Sequence, residues 1–108
     1  MNHGERRAAR HYRLHGYRLL AANVRAGGYE LDLIVRRGRR IVFVEVKERA
    51  SDGYGGPFAA IGPEKRRRVR RAADAWLAAH PELDGLEVAL EAVAITGRRL
   101  DRRDMSWA

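Results

Sequence analysis

Residues 29–47 read Tyr29-Glu30-Leu31-Asp32-Leu33-Ile34-Val35, then Arg36-Arg37-Gly38-Arg39, then Arg40-Ile41-Val42-Phe43-Val44-Glu45-Val46-Lys47. Two runs rich in β-branched residues, joined by a short link containing glycine, read as a β-hairpin. Gly38-Arg39 suits a two-residue turn with glycine at the first central position. That turn pairs Arg37 with Arg40 and, further along the ladder, Asp32 with Glu45 and Glu30 with Lys47. Directly opposed Cβ atoms lie roughly 4.5–5.5 Å apart. Two bare carboxylates about 4 Å apart repel by roughly 4 kcal/mol at an effective dielectric near 20. A cation between them removes that cost, and a divalent metal is the obvious candidate.

The pleat sorts the remaining side chains. In the second run Ile41, Phe43, Glu45 and Lys47 share one face, and Val42, Val44 and Val46 share the other. Apolar residues on both faces make this a central strand covered on both sides, so Glu45 and Lys47 fall at the rim of a cleft where the covered strand emerges. In the first run Glu30, Asp32 and Ile34 share a face, opposite Leu31, Leu33 and Val35. Hard oxygen ligands select Mg²⁺ or Mn²⁺. Asp32 and Glu45, with the carbonyl of Val46, can hold such an ion. Lys47 can orient an attacking water or neutralise charge in a phosphorane-like transition state. These are the parts that phosphodiester hydrolysis requires. A plain cross-strand salt-bridge ladder is the competing explanation, and the apolar neighbours on both faces disfavour the exposure it needs.

Working outward, residues 4–15 read as a helix with Ala8, Ala9, Tyr12 and His15 on a narrow apolar side, closed by Gly16. Residues 17–24 read as a strand. Residues 50–62, with Gly53, Gly55, Gly56, Pro57 and Gly62, read as a long loop suited to a flap. Pro63 opens a second helix, with Val69, Ala72, Ala73, Trp76 and Leu77 as its buried stripe, and His80-Pro81 ends it. Lys65 shares the sheet-facing side; Arg66, Arg67, Arg70 and Arg71 lie mostly on the other. Residues 86–96 read as a final strand, and residues 97–108 as a basic tail pinned by Leu100 and Trp107. The expected fold is α/β in the order α-β-β-β-α-β. A helix between the third and fourth strands makes that pair parallel and the sheet mixed, with helices on its flanks.

The chain has 108 residues, which suits one small domain. It carries 22 Lys+Arg against 14 Asp+Glu, a net charge of +8 that points to a polyanionic partner such as nucleic acid. Arg25, Arg49, Arg66, Arg67 and Arg70 are candidate contacts to a phosphate backbone. Of the cations only Lys47 and Lys65 are lysines, and the compact ammonium therefore stands out at those two places. The absence of cysteine fits a reducing cytoplasm. No signal peptide opens the chain, and no run approaches a membrane span. His11 and His15 are four apart but have no third ligand, and neither Ser51 nor Ser106 is placed as a nucleophile.

Asp32 followed by Glu45-Val46-Lys47 on the next strand resembles the PD-(D/E)xK nuclease signature. Asn23-Val24-Arg25, Glu30 to Ile34, Phe43 to Lys47 with Arg49, and Lys65 together resemble the YraN family of uncharacterised bacterial proteins. Gly4-Glu5 and Ala94-Ile95 extend that likeness over almost the whole chain. The family is similar to archaeal Holliday junction resolvases. The resemblance implies a restriction-endonuclease-like core with catalytic residues at Asp32, Glu45 and Lys47. It also implies that Glu5 of the first helix joins them and that Lys65 matches a recurring lysine. Two positions depart from the pattern: Tyr29 stands where the family usually has glycine, and Glu48 where it has a small or polar residue.

Three functions follow as expectations. The first is a metal-dependent nuclease acting on branched or structured DNA, a possible homodimer by likeness to the resolvases. The second is a nucleic-acid-binding module that keeps the nuclease fold without chemistry. The third is a scaffold that docks on another protein through Tyr54, Phe58 and Ile61 of the 50–62 loop.

Overall fold

The hairpin forms in the register that its turn dictates. The computed structural model describes residues 1–50 and 55–107, the last by its backbone only. In it β2 (Tyr29–Arg37) and β3 (Arg40–Arg49) are antiparallel, with pairs running from Arg37–Arg40 to Leu33–Val44. Gly38 takes φ 58°, a conformation that glycine adopts without strain. The ladder stops at Leu33–Val44. The expected pairs Asp32–Glu45 and Glu30–Lys47 are therefore absent from it, and Glu30 pairs instead with Arg25.

β1 (Arg18–Ala26) pairs antiparallel with β2 and forms one edge of the sheet. α2 (Pro63–Ala78) carries the chain over to β4 (Glu87–Thr96), which runs parallel to β3 from Arg40–Glu87 to Arg49–Thr96. The order foreseen from the sequence holds to this point. Residues 97–107 are not a tail, however; Ala108 lies outside the described residues. Arg99–Asp104 form β5, antiparallel to β4, which completes a mixed five-stranded sheet in the order β1-β2-β3-β4-β5. Leu100 is partly buried, as expected of it; the side chain of Trp107 lies outside the described residues.

The two faces of β3 feed two cores. Ile41 and Phe43 pack with Val69, Ala72, Ala73 and Trp76 of α2. Val42 and Val44 pack with Ala8, Ala9 and Tyr12 of α1 (His3–Leu14). His15, in contrast, is exposed. The apolar loop residues turn inward. Ile61 is fully buried and Phe58 packs against the α2-side core, so neither presents a docking face; Tyr54 lies outside the described residues. No helix among the described residues is long and apolar enough to cross a membrane.

A buried charge network ties β3, β4 and β5 on the α1 side. Glu91 accepts bonds from Arg102 at 2.7 Å, Arg40 at 2.9 Å and the Tyr12 hydroxyl at 2.7 Å. Burial alone would raise this carboxyl, but its bonds to Arg102 and Tyr12 and the Arg102 charge outweigh burial and hold it below the ordinary range. Tyr12 is pushed well above its usual value by burial and by the Glu91 charge.

Candidate active site

The site lies where both neighbours of β2 lose regularity. The hydrogen-bonded pairs that close a two-residue hairpin continue every second residue, so after Leu33–Val44 the next would be Leu31–Val46. The Val46 N–H donates instead to Oδ2 of Asp32, at 2.8 Å. Across β1, Asn23 adopts φ 53°, a left-handed conformation that asparagine tolerates better than most residues. Leu33 packs on the α1 side and Leu31 on the α2 side. The strict alternation expected from the sequence is thus broken at Asp32. The N–H and C=O of one strand residue point to the same edge, and the carbonyl of Val46 therefore faces the same gap as its N–H.

Glu45 continues the Ile41/Phe43 face and reaches α2. Its Oε1 lies 3.3 Å from Lys65 Nζ and accepts the Tyr29 hydroxyl at 3.3 Å. Burial raises the Glu45 carboxyl, against the pull of Lys65 and, more weakly, Lys47. Asp32 is pushed up to about 7, first by burial and then by the Glu45 charge, with the Val46 bond opposing. Tyr29 is pushed up to about 12, by burial and then by Glu45. Lys65 enters this cluster because Pro63 starts the helix two residues earlier and turns that side of its first turn to the sheet.

Two carboxylates held above their usual range mark a place short of positive charge. Asp32 Oδ1 and Glu45 Oε2 carry no hydrogen bond among the described residues. Together with the Val46 carbonyl they would offer an all-oxygen donor set. Magnesium typically binds through one or two carboxylates and keeps its remaining waters, so this set fits such an ion. Among the described residues no three histidine or carboxylate side chains converge as a metal group. An ion here would take side-chain oxygens from Asp32 and Glu45 only.

Glu5 approaches closely enough for its charge to raise Asp32, but its own oxygen is committed. Oε1 accepts the Asn2 N–H at 2.9 Å and the Asn23 side-chain amide at 3.1 Å. With the Asn2 side chain accepting the Glu5 N–H, this is a complete capping box for α1. The spacing Asn2-x-x-Glu5 carried that signal in the sequence. Tyr29 as a partner of Glu45 had no such signal, because the bond depends on how two strands and a helix meet.

The candidate phosphate contacts scatter. Arg25 is exposed, with a long contact to the Gly28 carbonyl at 3.5 Å. Arg49 reaches the Gly56 carbonyl at 3.4 Å. Arg67 pairs with Glu64 at 2.9 Å and Arg70 with Asp74 at 3.3 Å, each within α2. Arg66 is half-buried, and its Nε has no hydrogen-bond partner.

The family profile described as uncharacterised protein family UPF0102 matches residues 4–102. Among curated relatives, a UPF0102 protein of Alkalilimnicola ehrlichii is 44% identical over 98 residues, 91% of this chain and 78% of that one. One of Methylorubrum extorquens is 52% identical over 89 residues, covering 82% of this chain and 68% of the relative. One of Nitratidesulfovibrio vulgaris is 52% identical over 77 residues, covering 71% and 58%. With the acidic gap between β2 and β3 described and the likeness running through both of its strands, the chain belongs to the uncharacterised protein family UPF0102.

Proposed function

We propose that this chain is a metal-dependent nuclease with a restriction-endonuclease-like core, acting on DNA that is branched or otherwise structured. One observation carries the proposal. Asp32 and Glu45 are both held above their ordinary range, with open oxygens, at a break in the β2–β3 ladder. Asp32, Glu45 and the Val46 carbonyl would hold Mg²⁺ or Mn²⁺. When bound, such an ion acidifies a water and neutralises charge on the phosphodiester.

The chain's own residues do the rest. Lys47, on the Glu45 face, orients the attacking water or stabilises charge on the non-bridging oxygens. Lys65 fixes Glu45 from above, and Tyr29 fixes the same oxygen from the side. Glu5 anchors the start of α1 beside Asp32 and completes the set of catalytic candidates. Arg25, Arg49, Arg66, Arg67 and Arg70, though scattered and partly engaged within the chain, would add positive charge for a phosphate backbone. A homodimer would suit a two-fold substrate.

The test is cleavage of junction, flap and duplex DNA with Mg²⁺ or Mn²⁺ by the native chain, Asp32→Ala and Glu45→Ala. Metal-dependent product from the native chain alone supports the proposal. No product, or equal product from the variants, sinks it.

A second reading has its own support: Lys65 already places an ammonium 3.3 Å from Glu45. A binding module without chemistry would use that internal cation in place of a metal. It would bind DNA with affinity that falls as salt rises, by a slope of about −0.9 per phosphate, and with no metal requirement.

A further inference from the structure

We infer that the β1–β2 turn and two arginines of α2 form a phosphate seat, which holds a backbone phosphate of the nucleic acid one side chain away from the acidic cluster. The inference rests on the nucleic-acid reading above. The turn is Gly27-Gly28, with φ 57° and 79°, the pattern of a two-residue hairpin that needs left-handed backbone at both central positions. At Gly27 a second constraint acts. A Cβ there would stand 3.0 Å from the Arg71 carbonyl and 3.3 Å from the Ala72 Cα. The missing side chain thus lets the turn rest directly on the α2 backbone. At Gly28 a Cβ would meet nothing within 4 Å, so that side is open.

The result is a recess of about 170 Å³ lined by Gly27, Gly28, Tyr29, Arg68 and Arg71. No carboxylate lines it. Arg68 and Arg71 are three apart on the helix and therefore neighbours on its surface, so two like charges share the recess. Arg68 has one exposed pair, 3.3 Å from Glu64, a carboxylate that Arg67 also uses. Arg71 makes no ion pair among the described residues. Paired guanidinium groups, each a planar fork of N–H donors, match the several oxygens of a tetrahedral phosphate. Tyr29 ties the recess to the cluster: it lines the one, and its hydroxyl touches Glu45 of the other at 3.3 Å. A strand seated here is thereby positioned along the cleft, and Tyr29 gains a role in place of the glycine usual in the family.

The experiment uses the whole chain in EDTA, so that binding is read without cleavage. Inorganic phosphate and, separately, a short DNA duplex are titrated into the native chain, Arg68→Ala/Arg71→Ala, Arg71→Lys and the distant control Arg18→Ala/Arg36→Ala. With inorganic phosphate, the Gly27 and Gly28 amide signals should move in the native chain and the control and stay still in the α2 double variant. Arg71→Lys, which keeps the charge but not the planar fork, should respond at several-fold higher phosphate. For DNA, the slope of log K against log salt should flatten by about 0.9 in the double variant, because one phosphate fewer is neutralised. Still amides in the native chain overturn the seat. Moving amides with an unchanged DNA slope overturn the assignment to a nucleic-acid backbone and leave a free-phosphate site. Neither outcome depends on hydrolysis. A chain that binds as described but never cleaves refutes the nuclease proposal and leaves the seat standing.

Discussion

Two glutamates on neighbouring strands are buried almost equally, Glu91 at 5% exposure and Glu45 at 6%, yet they are served in opposite ways. Glu91 has two guanidinium groups and a phenol, and its carboxyl sits below the ordinary range. Glu45 has one ammonium and one phenol at 3.3 Å, with Asp32 close by, and sits above it. Exposure alone does not separate them, although Glu45 lies the deeper of the two. What differs more is the supply of positive charge, in a chain that has 22 Lys+Arg to draw on. A carboxylate enclosed by fixed cations serves stability. A pair left short of them is destabilised in the free protein and has the most to gain from an added cation.

The largest test of this contrast is Glu91→Ala, which strands Arg40 and Arg102 in a partly buried place. We expect a loss of about 3–5 kcal/mol in urea unfolding. A loss below about 1 kcal/mol would erase the distinction from the structural side. Next is Asp32→Asn, which keeps an acceptor for the Val46 N–H while removing the charge. The folded carboxyl titrates near 7, above the unfolded value near 3.9. The folded state therefore holds the proton more tightly, and stability is lost as pH rises from about 4 to 7. After discounting for partial exposure, Asp32→Asn should be more stable than the native chain by about 1–3 kcal/mol at pH 8 and by little at pH 4. A variant less stable at pH 8 breaks the comparison from the other side. Magnesium at tenfold over its Kd should stabilise the native chain by about 1.4 kcal/mol and leave this variant unmoved.

The smallest effect is expected from Lys65→Ala. Its side chain is 31% exposed, but Glu45 is buried and keeps only the Tyr29 bond, so removing the pair should lower stability by about 1–2 kcal/mol. If ammonium and metal compete for Glu45, calorimetry should show tighter magnesium binding in this variant. Weaker binding would show that Lys65 supports the ion rather than standing in for it.

Much of this arrangement was legible in the residues themselves. Gly38-Arg39 fixed the β2–β3 register, and residues 63–80 showed both the buried stripe of α2 and the inward side of Lys65. The ladder's early end was not legible. A side chain such as Asp32 can take a backbone donor from the neighbouring strand, and alternation of apolar residues carries no sign of that exchange. β5 escaped notice because its Arg-Leu-Asp-Arg-Arg-Asp run is charged almost throughout, as sheet edges often are. The pairs Arg67–Glu64 and Arg70–Asp74 were written in the three- and four-residue spacing. A view of α2 as a uniformly cationic face passes over them.

The break beside Asp32 also bears on the order of assembly. Asp32 and Glu45 sit on the two arms of a local hairpin, the kind of unit that closes in roughly 1–10 μs. Lys65 reaches Glu45 only once α2 has docked, and docking accompanies the slower pairing of β3 with β4 across the crossover. The growing structure therefore meets its acid–acid repulsion early and its remedy late.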